Sequence, residues 1–145
     1  MKADKKTHDE VAVTLQGFFE AYGKRDLNGV LAFWAPDPDV TMFGSGADEK
    51  TVGINQFPKI VMRDWSQSDK ATANFKDIAV SAAGTVAWFA ADIIFKVQTG
   101  VDKFEFGGRL TGVMEKRGGE WLLAQMHFSV PNSTQAQGQS WPKPT

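Results

Sequence analysis

The chain has no cysteine among its 145 residues, only two histidines, one tyrosine and a formal net charge of −1. Each scarcity excludes something. Without thiols there is neither a disulfide nor a cysteine nucleophile, and the composition fits a reducing compartment. The two histidines, His8 and His127, stand with no carboxylate cluster at ligand spacing, so neither a metal nor a cofactor is expected. The balanced charge offers no basic surface to a polyanion, so no nucleic-acid partner is expected. The longest apolar run, Val86–Phe95, is about ten residues and contains Asp92, whereas a membrane span needs ~20. Met1–Glu10 is charged and lacks the apolar stretch of a secretory leader. A cytoplasmic protein with no membrane partner is therefore the expectation.

What is present is aromatic. Phe, Trp and Tyr make up 12% of the chain, enough to furnish both a core and the lining of a ligand cavity. A chain of 145 residues suits one domain and can bury roughly 68–70% of its unfolded surface. Thr7 and Glu10 have capping-box spacing, and Val11, Leu15, Phe18, Phe19 and Tyr22 follow with helical period, predicting an amphipathic helix to about Lys24. Asp26 can cap a short second helix carrying Leu27, Val30, Leu31 and Trp34, stopped by Pro36 and Pro38. Val40–Phe43 reads as a short strand. Gly44-Ser45-Gly46 with Asp48-Glu49-Lys50 reads as a turn rather than a phosphate cradle. A third helix is predicted from about Ile54 to Trp65, with Phe57, Val61 and Trp65 on one face.

From Thr72 onward the period changes to two. Strands are predicted at about Asn74–Ser81, Val86–Val97, Lys103–Lys116 and Trp121–Val130, and Asn132–Thr145 is a polar tail with Pro142 and Pro144. Helices first and an antiparallel sheet after is an α+β layout. The last two strands form a hairpin closed on Gly118-Gly119, within the stretch Gly108–Pro131. A two-residue turn sets the pairing register.

The stretch from Asp26-Leu27 to Phe33-Trp34-Ala35, then Asp39-Val40, Gly53-Ile54, and the ending Trp121…His127-Phe128-Ser129-Val130-Pro131 resembles the SnoaL-like branch of the nuclear transport factor 2-like superfamily, which also contains ketosteroid isomerase. The resemblance runs from about Val11 to Pro131. It implies a cone-shaped α+β barrel with N-terminal helices packed on a curved antiparallel sheet, a domain over residues 7–131 followed by the tail 132–145, and a homodimer through the sheet. It does not fix an activity, because the scaffold hosts isomerases, dehydratases, epoxide hydrolases, polyketide cyclases and non-catalytic binding modules. At the positions where the resemblance would put ketosteroid isomerase's three catalytic groups, this chain has Phe18, Met42 and Arg109. That chemistry is not expected.

Counting outward from Gly118-Gly119 places Arg109 opposite Phe128, Thr111 opposite Met126 and Val113 opposite Ala124. Counting from Gly100-Val101 places Asp92 opposite Arg109 and Lys96 opposite Glu105, a favourable charge pair. One face would then carry Trp88, Ala90, Asp92, Arg109, Thr111, Met126 and Phe128, an apolar surface with one acid–base pair. On this reading Asp92 accepts a proton or orients water, and Arg109 binds an oxyanion or keeps Asp92 ionised. The other reading of the pair is a structural ion pair. Limonene-epoxide hydrolases, within the same resemblance, set an arginine between two acids; Asp39 and Asp64 are the candidates for the second.

His127 would face Leu110 on the opposite side, with Gln125 and Ser129, the side on which the family dimerises. An interface histidine is one reading and a pocket histidine the other. A Ser129–His127 triad has no acid beside it. Trp34, Phe57, Met62 and Trp65 stand at helical spacing as cavity lining or as plain core. The expectation is a domain that binds a small, largely apolar ligand. An isomerase, lyase or hydrolase using Asp92 and Arg109, polyketide cyclase-like or epoxide hydrolase-like, is the alternative. A protein-interaction module would need an exposed apolar patch beyond the dimer surface.

Overall fold

The structure is a computed structural model and describes residues 1–144; Thr145, the end of the expected tail, lies outside the described residues. Helices α1 (Lys5–Gly23) and α2 (Leu27–Ala32) come first. The short strands β1 (Thr41–Phe43) and β2 (Lys50–Val52) follow, then a 3-10 turn at Ile54–Gln56 and helix α3 (Phe57–Ser66). Four long strands complete the fold: β3 (Lys70–Ala83), β4 (Val86–Thr99), β5 (Asp102–Arg117) and β6 (Glu120–Ser129). They form one six-stranded sheet in the order β2-β1-β6-β5-β4-β3, antiparallel except where β1 runs parallel to β6. Helices packed into a curved, mostly antiparallel sheet make this the cone-shaped α+β fold expected.

The N-terminus differs from the capping-box reading. Asp4 is the cap: its side chain accepts from the Thr7 amide at 2.7 Å, and the helix begins at Lys5. Glu10 turns to the sheet instead. Its Oε2 accepts from Lys116 Nζ and Trp121 Nε1, both at 2.9 Å, tying α1 to the ends of β5 and β6. The lysine and the indole hold the Glu10 carboxyl below the usual range. Residues ahead of position 7 also belong to the packed structure, since the Ala3 amide donates to Val80 and the Ala82 amide to the Met1 carbonyl. Asp26 caps α2 as expected, accepting from the Gly29 amide at 2.9 Å. Lys50, expected in the turn, instead begins the strand Lys50–Val52, because this segment pairs with β1 at the sheet edge.

Alternation decides what lies inside. On β4, Ala87, Phe89, Ala91 and Ile93 are buried while Ala90 and Asp92 between them are exposed. On β5 the buried set is Gly108, Leu110, Gly112 and Met114. These side chains form the concave face. Against it lies the α1 stripe Val11, Leu15, Phe18 and Phe19, all buried. Each fully buried aliphatic or aromatic side chain here contributes roughly 1.5–3 kcal/mol of transfer free energy.

Both hairpin turns are where the sequence puts them. Gly118 and Gly119 have φ of 58° and 86°, the left-handed pair that a tight turn of matching twist requires. The β4–β5 register is also as counted, with Asp92 opposite Arg109 and Lys96 opposite Glu105. The β5–β6 register is not. It holds from the turn to Met114–Leu123, then Val113 pairs with Gln125, leaving Ala124 as an extra residue. This bulge shifts everything beyond it by one: Arg109 faces Ser129, Leu110 faces Phe128 and Thr111 faces His127. A second irregularity lies on β3 between Lys76 and Ala79, where Asp77 adopts φ 50°.

Gly112 sits beside the β6 bulge with no room for a side chain. A Cβ there would lie 2.6 Å from both the Gln125 carbonyl oxygen and Phe89 Cζ. Gly112→Ala is therefore expected to lower the stability read by urea denaturation by about 1–3 kcal/mol. Gly107→Ala, whose nearest neighbour would be the Ile93 carbonyl at 3.8 Å, should stay within about 0.5 kcal/mol of the parent.

Candidate functional site

The sheet's curl leaves a cavity of about 320 Å³ between its concave face, the end of α1 and one side of α3. That is near the lower end of the ~300–1,000 Å³ typical of small-molecule sites. Phe18 and Phe19 line it from α1, Ile60 and Val61 from α3, and Met42 from β1. The long strands contribute Phe95, Leu110, Met126 and Phe128, with Phe104 and Phe106 also in the wall.

The polar groups of the wall come from helix ends and one loop. Tyr22, in the last turn of α1, donates its hydroxyl to Asp64 Oδ2 of α3 at 3.1 Å. Arg25 locks the two helices together: it has φ 56° and donates to the Trp65 carbonyl at 2.7 Å and to the Ser68 carbonyl. Burial raises the Asp64 carboxyl above the usual range, and the nearby Glu49 charge pushes the same way. The Tyr22 hydrogen bond and Arg63 oppose that shift. Burial, with the Asp64 charge beside it, likewise pushes the Tyr22 phenol well up. Arg63 has other partners, Asp48 at 2.9 Å and Glu49 at 2.8 Å, which pin the Gly44–Glu49 turn over the cavity edge. The Gly46 amide donates to the same Glu49 at 2.7 Å.

The residues expected at the site are divided by the fold. Met126 and Phe128 line the cavity. Asp92, Arg109 and Thr111 are exposed on the other, outer face of the sheet, with Trp88 half-buried beside them. The expected single face does not exist, because the bulge at Ala124 puts Met126 and Phe128 on the side opposite to Arg109 and Thr111. His127 also moves: it joins the outer face, opposite Thr111 and 5.2 Å from the Phe43 ring. Asp92 and Arg109 are cross-strand neighbours, but neither lines the cavity. Trp34 and Phe57 are core, packed edge-to-face at 4.4 Å. Trp65 is 7% exposed, and among the described residues its Nε1 is the buried side-chain polar atom with no hydrogen-bond partner. Met62 faces solvent at 53% exposure. Of the two candidate second acids, Asp64 is in the cavity wall, whereas Asp39 is exposed in the loop before β1.

By helical period alone Tyr22 belongs to an apolar stripe. Its signal is its uniqueness: the one tyrosine of the chain, on the buried side of a helix, where a hydroxyl requires a partner.

A family model described as a SnoaL-like domain matches residues 11–133. The chain belongs to the SnoaL-like family. Solved structures agree on the fold. A nuclear transport factor 2-like superfamily protein from Salmonella enterica superposes with a TM-score of 0.81 at 16% identity, covering 96% of this chain and 100% of that one. A protein from Streptomyces avermitilis, named as a proposed dehydratase of the same superfamily, gives 0.79 at 16% identity over 88% and 98% of the two chains. A proposed scytalone dehydratase from Novosphingobium aromaticivorans gives 0.78 at 8% identity over 88% and 85%. At these identities the likeness of the SnoaL-like domain to them is one of fold. No curated protein matches the chain. Among the described residues no helix is long and apolar enough to cross a membrane.

The raised Asp64 carboxyl has a consequence for stability. A folded-state pKa above the unfolded one means the contribution is full below the ordinary value of about 3.9 and is lost as pH rises through the raised value. Asp64→Asn keeps an oxygen for Tyr22 and removes the charge. At pH 7 the variant is expected to melt at or above the parent, by about 1–3 °C, with the gap closing toward pH 3.5. Paired thermal scans at the two pH values check this, and a gap that widened toward acid would contradict it.

Proposed function

We propose that the SnoaL-like domain binds a small, largely apolar ligand in the cone cavity, without requiring catalysis. The observation that carries this reading is the contrast within the wall: apolar side chains from α1, α3 and five strands stand beside a hydrogen-bonded pair, Tyr22–Asp64. Apolar lining supplies affinity and a few convergent polar groups supply orientation. A homodimer through the outer face of the sheet accompanies this reading. That face carries Trp88, Val113, Gln125 and His127, none of which lines the cavity.

One observation favours catalysis as the second reading. A carboxyl raised by burial and hydrogen-bonded to a phenol is a group suited to proton transfer, the step shared by isomerases, lyases and hydrolases. That reading moves the chemistry from Asp92 and Arg109 to Asp64, with Tyr22 positioning it.

Native mass spectrometry of the gently purified chain tests the proposal. A small-molecule adduct that disappears on denaturation is expected, on a particle of twice the chain mass. Met42→Trp, which fills the cavity from β1, should lose the adduct while keeping the far-ultraviolet circular dichroism of the parent. An adduct that survives Met42→Trp would place the ligand elsewhere.

A further inference from the structure

The chemistry of the cavity wall narrows the ligand, an inference that rests on the ligand-binding reading above. Hydrogen-bond capacity comes first. The single Tyr22 hydroxyl proton goes to Asp64 Oδ2 at 3.1 Å. What the pair presents to a third party is therefore acceptors: the Tyr22 oxygen lone pairs and the second Asp64 oxygen. The two cations that act on the pair have partners of their own: Arg63, beside Asp64, donates to Asp48 and Glu49, and Arg25, beside Tyr22, donates to the Trp65 and Ser68 carbonyls. A ligand group meeting this pair has to donate, and an anionic one would be set against the carboxylates of Asp64 and Glu49, both in the wall.

The second observation is the arrangement of the phenylalanines. Phe95 and Phe106 face each other across β4 and β5, stacked at 5.4 Å with planes 14° apart. Phe104, two residues from Phe106 and so on the same side of the strand, extends the series at 6.3 Å and 23°. Phe128 meets Phe95 edge-on at 5.2 Å and 72°. All four line the cavity, yet Phe104 is 53% exposed and Phe106 37%. The near-parallel rings leave aromatic surface of Phe104 and Phe106 uncovered beside the cavity. A flat π-system extends such a stack, whereas a saturated ring of the same size gains only apolar contact.

We propose that the cavity takes an uncharged, planar aromatic alcohol, its ring system against the Phe95–Phe106–Phe104 stack and its hydroxyl donating to the Tyr22–Asp64 pair. Isothermal titration of the full chain at pH 7 with 2-naphthol, decahydro-2-naphthol and 2-naphthoate tests it. 2-Naphthol is expected to bind about threefold to tenfold more tightly than the saturated alcohol. 2-Naphthoate should bind at least about tenfold more weakly than 2-naphthol and recover part of that loss in Asp64→Asn. Phe106→Leu, which keeps an apolar side chain, should weaken 2-naphthol by about the same factor and leave the saturated alcohol unchanged; if it fails to fold, the more exposed Phe104→Leu takes its place. Equal affinity for the aromatic and saturated alcohols overturns the aromatic assignment and leaves the apolar cavity reading standing. Naphthoate binding as tightly as naphthol overturns the hydroxyl assignment. Saturable binding of none of the three overturns this inference together with the reading it rests on.

Discussion

The structure depends on one burial problem. The α1 stripe of Val11, Leu15, Phe18 and Phe19 has to leave water, and it does so against the concave apolar face of the six-stranded sheet. A helix laid in a curled sheet fills the closed end of the cone, where Leu15, Leu110, Met114 and Leu123 are essentially inaccessible. It does not fill the open end. The unfilled remainder is the cavity, and its walls are apolar for the same reason that the core is.

Curvature requires interruptions in the ladder, and the interruptions decide function as much as shape. The extra residue at Ala124 lets β6 follow the bend while keeping Leu123 and Met126 both inside, although they lie three residues apart. Without it the strict alternation would have taken Met126 and Phe128 out of the cavity and brought His127 in. Gly112 is the complement of that bulge, since only a residue without a side chain lets the Gln125 carbonyl and the Phe89 ring approach. The charges fall to the other side. Asp92, Lys96, Glu105 and Arg109 share the outer face, where water solvates them at little cost.

The polar pair of the SnoaL-like cavity is assembled differently from its walls. Tyr22 and Asp64 are 42 residues apart and meet because α1 and α3 end at the same place, clamped by Arg25 onto the carbonyls that follow Asp64. Each is the last polar group of an otherwise apolar helix face, at the boundary between core and cavity. There a hydroxyl and a carboxyl can be partly desolvated and still paired. The Gly44–Glu49 turn, held by Arg63, completes that rim and absorbs the positive charge that would otherwise face Asp64.

Local chemistry in the sequence was enough for the α+β order, the Asp26 cap, the two glycine turns, the long β4–β5 hairpin with its Asp92–Arg109 pairing, and the resemblance that proved to be family membership. The inner face of β4 and β5 is the opposite of the one expected: the four charges Asp92, Lys96, Glu105 and Arg109 lie on the outer surface, and Phe89, Ala91, Ile93 and Leu110 lie inside. Two things were decided only in three dimensions. One is the bulge at Ala124, because nothing in Trp121–Ser129 by itself says where a strand must bend; its partner's curvature does. The other is the Tyr22–Asp64 pair, because no sequence spacing encodes where two separate helices end. The sequence by itself therefore determined the elements and the apolar supply for a cavity. The tertiary structure decided which side chains look into it, since a one-residue slip in a strand exchanges its two faces.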